Sequence, residues 1–125
     1  MRHLNNVAFL QFFESARIGF ITELLPDHDP AHPESDFGLI FAECHIAYRS
    51  PAFYEEEVVT RIRPAQLQRS SFRALFRMES GRDGRLLAEG WGALVGYDYA
   101  TSTATPLPGR LTAALRAEGA TEEDA

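Results

Sequence analysis

The chain contains no lysine. All 12 of its basic residues are arginine, set against 18 acidic residues for a net charge of −6. We read the missing lysine as a compositional bias, while the acidic balance argues against nucleic acid as a partner. It weighs less against a small anionic ligand, because a few arginines at a binding mouth can outweigh the overall field. Only one cysteine is present, Cys44, so no internal disulfide framework can form, and a reducing cytoplasm is the expected setting. No apolar run approaches the ~20 residues of a membrane-spanning helix. The first residues also lack the basic stretch followed by an apolar core that marks a signal peptide. Internal repeats and linkers are missing too, and 125 residues suffice for one domain with a real core but not for two.

What is present is strongly patterned. Asn5 and Asn6 stand immediately before a long apolar run, and asparagine is a favoured N-cap residue because its side-chain oxygen accepts an orphan amide hydrogen. From there the chain reads as helix until Pro26, which cannot continue one. Phe9, Phe13, Ala16, Phe20 and Leu24 form a stripe at helical spacing, widened by Leu10, Phe12 and Ile21. Gln11, Ser15, Thr22 and Glu23 leave only a modest wet side. A helix apolar on most of its circumference is normally buried. The pattern therefore predicts a central helix that the rest of the chain wraps.

Residues 26–36 read as a solvated polar loop broken by Pro26, Pro30 and Pro33. Asp27, His28, Asp29 and His32 resemble a ligand set, but the prolines oppose a helix that would align them and no cysteine joins them. We expect no metal there. Strand-like alternation follows. Between Gly38 and Arg49 it puts Ile40, Ala42, Cys44, Ile46 and Tyr48 toward the helix, and Leu39, Phe41, Glu43, His45 and Ala47 on the other face. The second face reads as a subunit interface, with Glu43 and His45 as a pair within it. Val58 to Gln68 is the next strand, where Pro64 implies a bulge or an edge. Ser71 to Glu79 alternates most cleanly, with Phe72, Ala74, Phe76 and Met78 inward. Gly81-Arg82-Asp83-Gly84 is a hairpin turn. In the last strand, Leu86 to Asp98, glycines 90, 92 and 96 share one face, and Leu87, Trp91, Ala93, Val95 and Tyr97 the other. A loop (101–109), a short helix (110–117) and an acidic tail expected to fray (118–125) complete the chain. A long helix followed by strands joined by turns is an α+β pattern: a curved antiparallel sheet wrapped around one long central helix.

The residues that open this helix carry a resemblance. His3-Leu4-Asn5-Asn6, Phe9-Leu10 and Phe12-Phe13-Glu14-Ser15-Ala16-Arg17 resemble the opening signature of hotdog-fold acyl-CoA thioesterases of the 4-hydroxybenzoyl-CoA thioesterase type, roughly D-x-x-G-H-V-N-N-x-x-Y-L-x-Y-F-E-E-A-R. Tyr48-Arg49-Ser50-Pro51 is similar to the family's Y-x-R-P turn, with one residue shifted. Arg69-Ser70-Ser71-Phe72 is similar to its R-S-S-F strand start, and Leu87-Ala88-Glu89-Gly90 to its L-A-E-G strand. The order is kept from residue 3 to about 116. The resemblance implies a single hotdog domain over 1–125 and an acyl-CoA thioesterase working as a homodimer or a dimer of dimers, with no cofactor and no membrane partner. The motif's aspartate and the strand leading into it would fall upstream of Met1. A non-catalytic hotdog module that binds acyl-CoA, or only assembles, is therefore the rival expectation.

Hydrolysis of a thioester needs a group that polarises the carbonyl and one that activates or aims water. The resemblance puts the first role on the backbone N–H of Asn6 or Val7, at the helix end where free amides and the dipole favour a developing oxyanion. Plain capping is the other reading of Asn5 and Asn6, and the two coexist at one terminus. Other hotdog branches carry a catalytic carboxylate on this helix, and Glu14 is similar in position. Its plainer reading is a carboxylate paired with Arg17 at i+3. His3 is a candidate for orienting water or substrate, and a frayed terminus is the alternative. The resemblance places Ser70 and Ser71 near the substrate from across a dimer interface, with a polar strand edge as their ordinary reading, and Asn5 and Arg69 are further candidates for contact with substrate. Among Arg61, Arg63, Arg69, Arg73 and Arg77 the candidate role is contact with coenzyme A phosphates, though most read as the wet face of a sheet. Cys44, facing the helix by alternation, reads as a packed thiol.

Overall fold

The computed structural model describes residues 6–28, 37–53 and 55–122, with the side chains of the first helix described from Ala8 onward. Helix α1 (Asn6–Leu24) precedes strands β1 (Gly38–Tyr48), β2 (Val58–Ala65), β3 (Ser71–Ser80) and β4 (Leu86–Asp98). A two-residue strand β5 (Thr103–Ala104) and helix α2 (Gly109–Ala117) follow. The sheet is antiparallel in the order β1-β4-β3-β2, with β5 paired to the end of β4. Pro64 sits in β2, at the sheet's edge, where its missing N–H breaks no ladder.

The sheet packs on α1 through the faces that alternation predicts for β3. Phe72, Ala74, Phe76 and Met78 are all buried, and Phe9 and Phe13 of the helix are buried against the same core. The glycine face of β4 is the inner one. A side chain at Gly92 would collide with the rings of Phe13 and Phe41 at 2.8 and 2.6 Å, so the aromatic side chains occupy the room that the glycine leaves. The helix is not enclosed all round, however. Leu10 and Ile18 are 38% and 42% exposed, so one apolar side of α1 faces outward in the isolated chain.

Two irregularities overturn the simple alternation. Phe41 pairs with Leu94 and Glu43 with Ala93, which leaves Ala42 as an extra residue. This bulge turns the strand over. Leu39 and Phe41 ahead of it and Cys44 and Ile46 behind it all pack on the core. Leu39 and Phe41 therefore do not belong to the outer face, and Ala42 does not point inward. A second shift, opposite Met78 and Glu79, has the same effect on Leu87, which is fully buried rather than on the Trp91 face.

The far ends are tied down by polar contacts. The buried Glu56 carboxylate accepts the Ser80 hydroxyl at 2.6 Å, the Phe53 amide at 3.1 Å and the Arg85 guanidinium at 2.9 and 3.0 Å. The Ser80 and Phe53 bonds, opposed by burial and helped by Arg85, hold its pKa down at about 2. His28, expected in a solvated loop, is buried and stacked on Phe37 at 4.1 Å between ring centroids. Asp29, Pro30, His32 and Pro33 lie outside the described residues. The segment after α2, expected to be loose from Glu118, is held as far as Thr121: Ala120 is buried and the Thr121 carbonyl accepts the Leu67 amide at 2.9 Å.

Candidate active site at the start of the central helix

Helix α1 runs antiparallel to β1. Its N-terminal turn lies by the end of that strand, where the Phe9 ring meets Tyr48 at 5.6 Å. One turn on, Phe13 meets Phe41 at 5.4 Å, and beyond it the Arg17 guanidinium lies 5.2 Å over the same Phe41 ring. The backbone of Asn6 and Val7 opens the helix, and no acidic residue stands in the first turn. First-turn amides have no intrahelical acceptor, so this end favours an anion or a developing oxyanion. His3 and Asn5, like the side chains of Asn6 and Val7, lie outside the described residues.

Glu14 is two turns further along, about 12 Å up the helix axis. Both of its oxygens meet Arg17, Nη2 to Oε2 at 3.0 Å and Nε to Oε1 at 3.4 Å. The carboxylate is 40% exposed and the arginine 18%. Glu14 also faces β1. Burial first, and then the negative charge of Glu14, pushes the Cys44 thiol up from its ordinary value. Cys44 is half-buried and free, which agrees with a packed thiol.

Arg69, Ser70 and Ser71 are not brought to this end. They form the β2–β3 turn and the first residue of β3, and their backbones are engaged there. The carbonyls of Arg69 and Ser70 accept the amides of Leu107 and Gly96 at 2.9 and 2.8 Å, and that of Ser71 accepts the Gln68 amide at 2.8 Å. Ser71 pairs with Val95, which pairs with Ile40, eight residues before Tyr48 on β1. At ~3.3 Å per residue, this turn lies roughly 26 Å from the Tyr48 end within one chain. A cavity of about 190 Å³ opens near that far end, walled by Ile18, Ile21, Phe37 and Leu39, with Arg17, His28 and Tyr99. Sequence patterning gave no sign of it, because its walls come from three separate segments. Arg61, Arg63, Arg73 and Arg77 lie on the outer face of the sheet, the side away from α1. Among the described residues no group of three or more His, Cys, Asp or Glu is placed to hold a metal ion. No helix there is long and apolar enough to cross a membrane.

A family model described as the thioesterase-like superfamily matches residues 1–115. The chain belongs to the thioesterase-like superfamily. Its fold is the hotdog arrangement of solved thioesterases. A thioesterase from Thermus thermophilus, crystallised in complex with coenzyme A and Zn, is 29% identical, with a TM-score of 0.77 over 93% of this chain and 80% of that one. A 1,4-dihydroxy-2-naphthoyl-CoA thioesterase from Synechocystis superposes with a TM-score of 0.81 at 18% identity, covering 91% of this chain and 83% of that one. The PA5185 protein from Pseudomonas aeruginosa gives 0.83 at 22% identity, covering 96% and 83%. At such identities the last two show a shared fold alone. No curated protein sequence matches. The helix start at Asn6 and the carboxylate of Glu14, candidates from the sequence, stand about 12 Å apart along one helix. The motif around Tyr48 adds an exposed ring at the same end, 43% exposed and edge-on to Phe9.

Proposed function

We propose that this protein hydrolyses acyl-CoA thioesters as a homodimer, with the thioester carbonyl at the N-terminus of α1. The reading is carried by one observation: a helix that starts at Asn6 with no acid in its first turn, in a chain of this superfamily. The amides of Asn6 and Val7 polarise the carbonyl. Glu14 takes a proton from water as the water oxygen bonds to the carbonyl carbon, and the oxyanion rests on the helix terminus. Collapse breaks the C–S bond, and the proton held by Glu14 returns to the departing thiolate.

Glu14 and Asn6 of one chain are too far apart to share a carbonyl, and a second copy resolves this. An isologous pairing of two antiparallel helices, centred near the exposed Leu10, sets Asn6 opposite Glu14 of the partner subunit. The exposed Leu10 supplies the apolar contact at the axis, and the Ser70 and Ser71 end of one copy moves toward the helix start of the other. A reducing cytoplasm suits the lone Cys44.

The rival is a hotdog module that binds acyl-CoA without turning it over, and the engagement of both Glu14 oxygens by Arg17 favours it. Thiol release from a panel of acyl-CoAs separates the two. Glu14→Gln is expected to lower kcat about 10²–10⁴-fold with the fold retained, the usual contribution of one positioned acid–base group. Unchanged turnover in Glu14→Gln would remove Glu14 from the mechanism. A wild-type protein that binds acyl-CoA but releases no thiol would establish the rival. Light scattering that found a monomer at micromolar concentration would sink the two-subunit site.

A further inference from the structure

A glutamate on a helix turns about several side-chain bonds and, left alone, spreads over many rotamers. A general base has to stand ~2.6–3.2 Å from the proton it takes. Something must therefore hold Glu14 still. An ordinary exposed i,i+3 ion pair holds little, because both side chains are long, wet and screened. Arg17 is not of that kind. Its side chain is 18% exposed against 40% for Glu14, and its guanidinium carbon lies 5.2 Å from the centroid of the Phe41 ring.

The support beneath Arg17 is built by the sheet. The extra residue Ala42 lets Phe41 and Cys44 both pack toward the helix. Gly92 leaves the space that Phe41 fills, since a side-chain carbon there would stand 2.6 Å from its ring. Phe13 closes the side of the same ring, with centroids 5.4 Å apart. The guanidinium thus rests on a ring packed from two directions, and cation–π attraction adds to the contact.

From that seat Arg17 donates through Nη2 to Oε2 of Glu14 at 3.0 Å and through Nε to Oε1 at 3.4 Å. The two bonds are unequal: Oε2 is fixed, while Oε1 is held at a length that leaves it open to water. No other cation pairs with Glu14 among the described residues. A neighbouring cation weakens a carboxylate as a base, whereas a fixed orientation improves it. At 40% exposure, solvent screens the first effect and leaves the second intact. Orientation wins.

We propose that Arg17 is a positioning residue: seated on Phe41, it aims Oε1 of Glu14 at the attacking water. The assignment rests on the reading of Glu14 as the base and gives the neighbouring arginine a part in turnover.

Thiol release from acyl-CoA is measured for the wild type, Glu14→Gln, Arg17→Met, Arg17→Lys and the double variant Glu14→Gln/Arg17→Met, with urea unfolding of each. Methionine keeps an unbranched apolar stem over Phe41 and removes the donors. Arg17→Met should lower kcat about 10–100-fold with KM within about threefold, since a misplaced base slows chemistry without loosening substrate. Arg17→Lys keeps the charge but not the planar fork, and its kcat should fall between the two. The double variant should be no slower than Glu14→Gln alone, because Arg17 acts only through Glu14. Arg17→Met that turns over as fast as the wild type, or faster, overturns the proposal, and so does a loss confined to KM. Losses that multiply in the double variant overturn it too, by giving Arg17 a role of its own. Should Arg17→Met lose its cooperative unfolding, lysine decides: a wild-type kcat in Arg17→Lys refutes the need for the fork. Wild-type turnover in Glu14→Gln removes Glu14 as base and Arg17 with it, whereas a slow Glu14→Gln beside a fast Arg17→Met removes Arg17 alone.

Discussion

Phe13 is the side chain on which α1 rests, and its size is matched to a glycine across the core. The ring is fully buried, stacked on Phe76 at 4.2 Å and tilted against Phe41 at 5.4 Å. Two of its carbons lie 2.8 Å from where a methyl on Gly92 would stand. Replacing Phe13 by leucine keeps an apolar group but gives up both ring pairs, at ~0.5–1.5 kcal/mol each, a loss of about 1–3 kcal/mol. Gly92→Ala drives a methyl into a filled space and should cost about 1–3 kcal/mol as overpacking. If the two sites were independent the double variant would lose about 2–6 kcal/mol, the sum of these ranges. Leucine at position 13 removes one of the two rings that the added methyl meets, while the Phe41 edge at 2.6 Å stays. The pair should then cost less than the sum but more than Phe13→Leu alone, a coupling of about 1 kcal/mol. Urea unfolding of all four proteins measures the cycle, provided the slopes agree. Additivity to within ~0.5 kcal/mol, or a Gly92→Ala loss below ~0.5 kcal/mol, would refute this packing of helix on sheet.

Other outcomes follow from the same geometry. Ala42 is the extra residue of the β1 bulge, so deleting it keeps Leu39, Phe41, Cys44 and Ile46 inward and should leave stability within ~1 kcal/mol. Deleting Ala47 instead turns one side of the strand over, and chemical denaturation should show a much larger loss. The folded pKa of Glu56 is depressed from 4.5 to about 2, so its contribution to stability is present above about pH 4.5 and lost as pH falls toward 2. Thermal melts of the wild type should fall across that window, and the difference from Glu56→Gln should narrow; a constant difference would count against the Ser80–Glu56–Arg85 cluster. With its thiol pushed up by burial and then by the charge of Glu14, Cys44 should react with an aromatic disulfide at pH 7 more slowly than free cysteine.

Local pattern was enough to determine the elements themselves. The helix from Asn6 to Leu24, the four long strands, the Gly81–Gly84 turn and the inward set Phe72, Ala74, Phe76 and Met78 all follow from hydrophobic period and turn chemistry. Each of these signals acts over a few residues, which is why a single sequence displays them. The motifs placed the helix start and Glu14 as candidates, and the Arg17 partner follows from i+3 spacing alone. Tertiary structure decided the rest. Strict alternation put Leu39 and Phe41 outside, Ala42 inside and Leu87 beside Trp91. A bulge adds one residue on one strand only, and nothing in that strand's own sequence marks where its partner fails to keep step. The distance between Ser70 and Asn6 was equally hidden, since it depends on β3 lying beside β4 and on α1 running antiparallel to β1. The same pairing assembled His45, Trp91, Leu75 and Arg63 into one row from four separate strands. Residues far apart in the chain become neighbours only through register, and register is fixed by burying one face of the whole sheet against the helix.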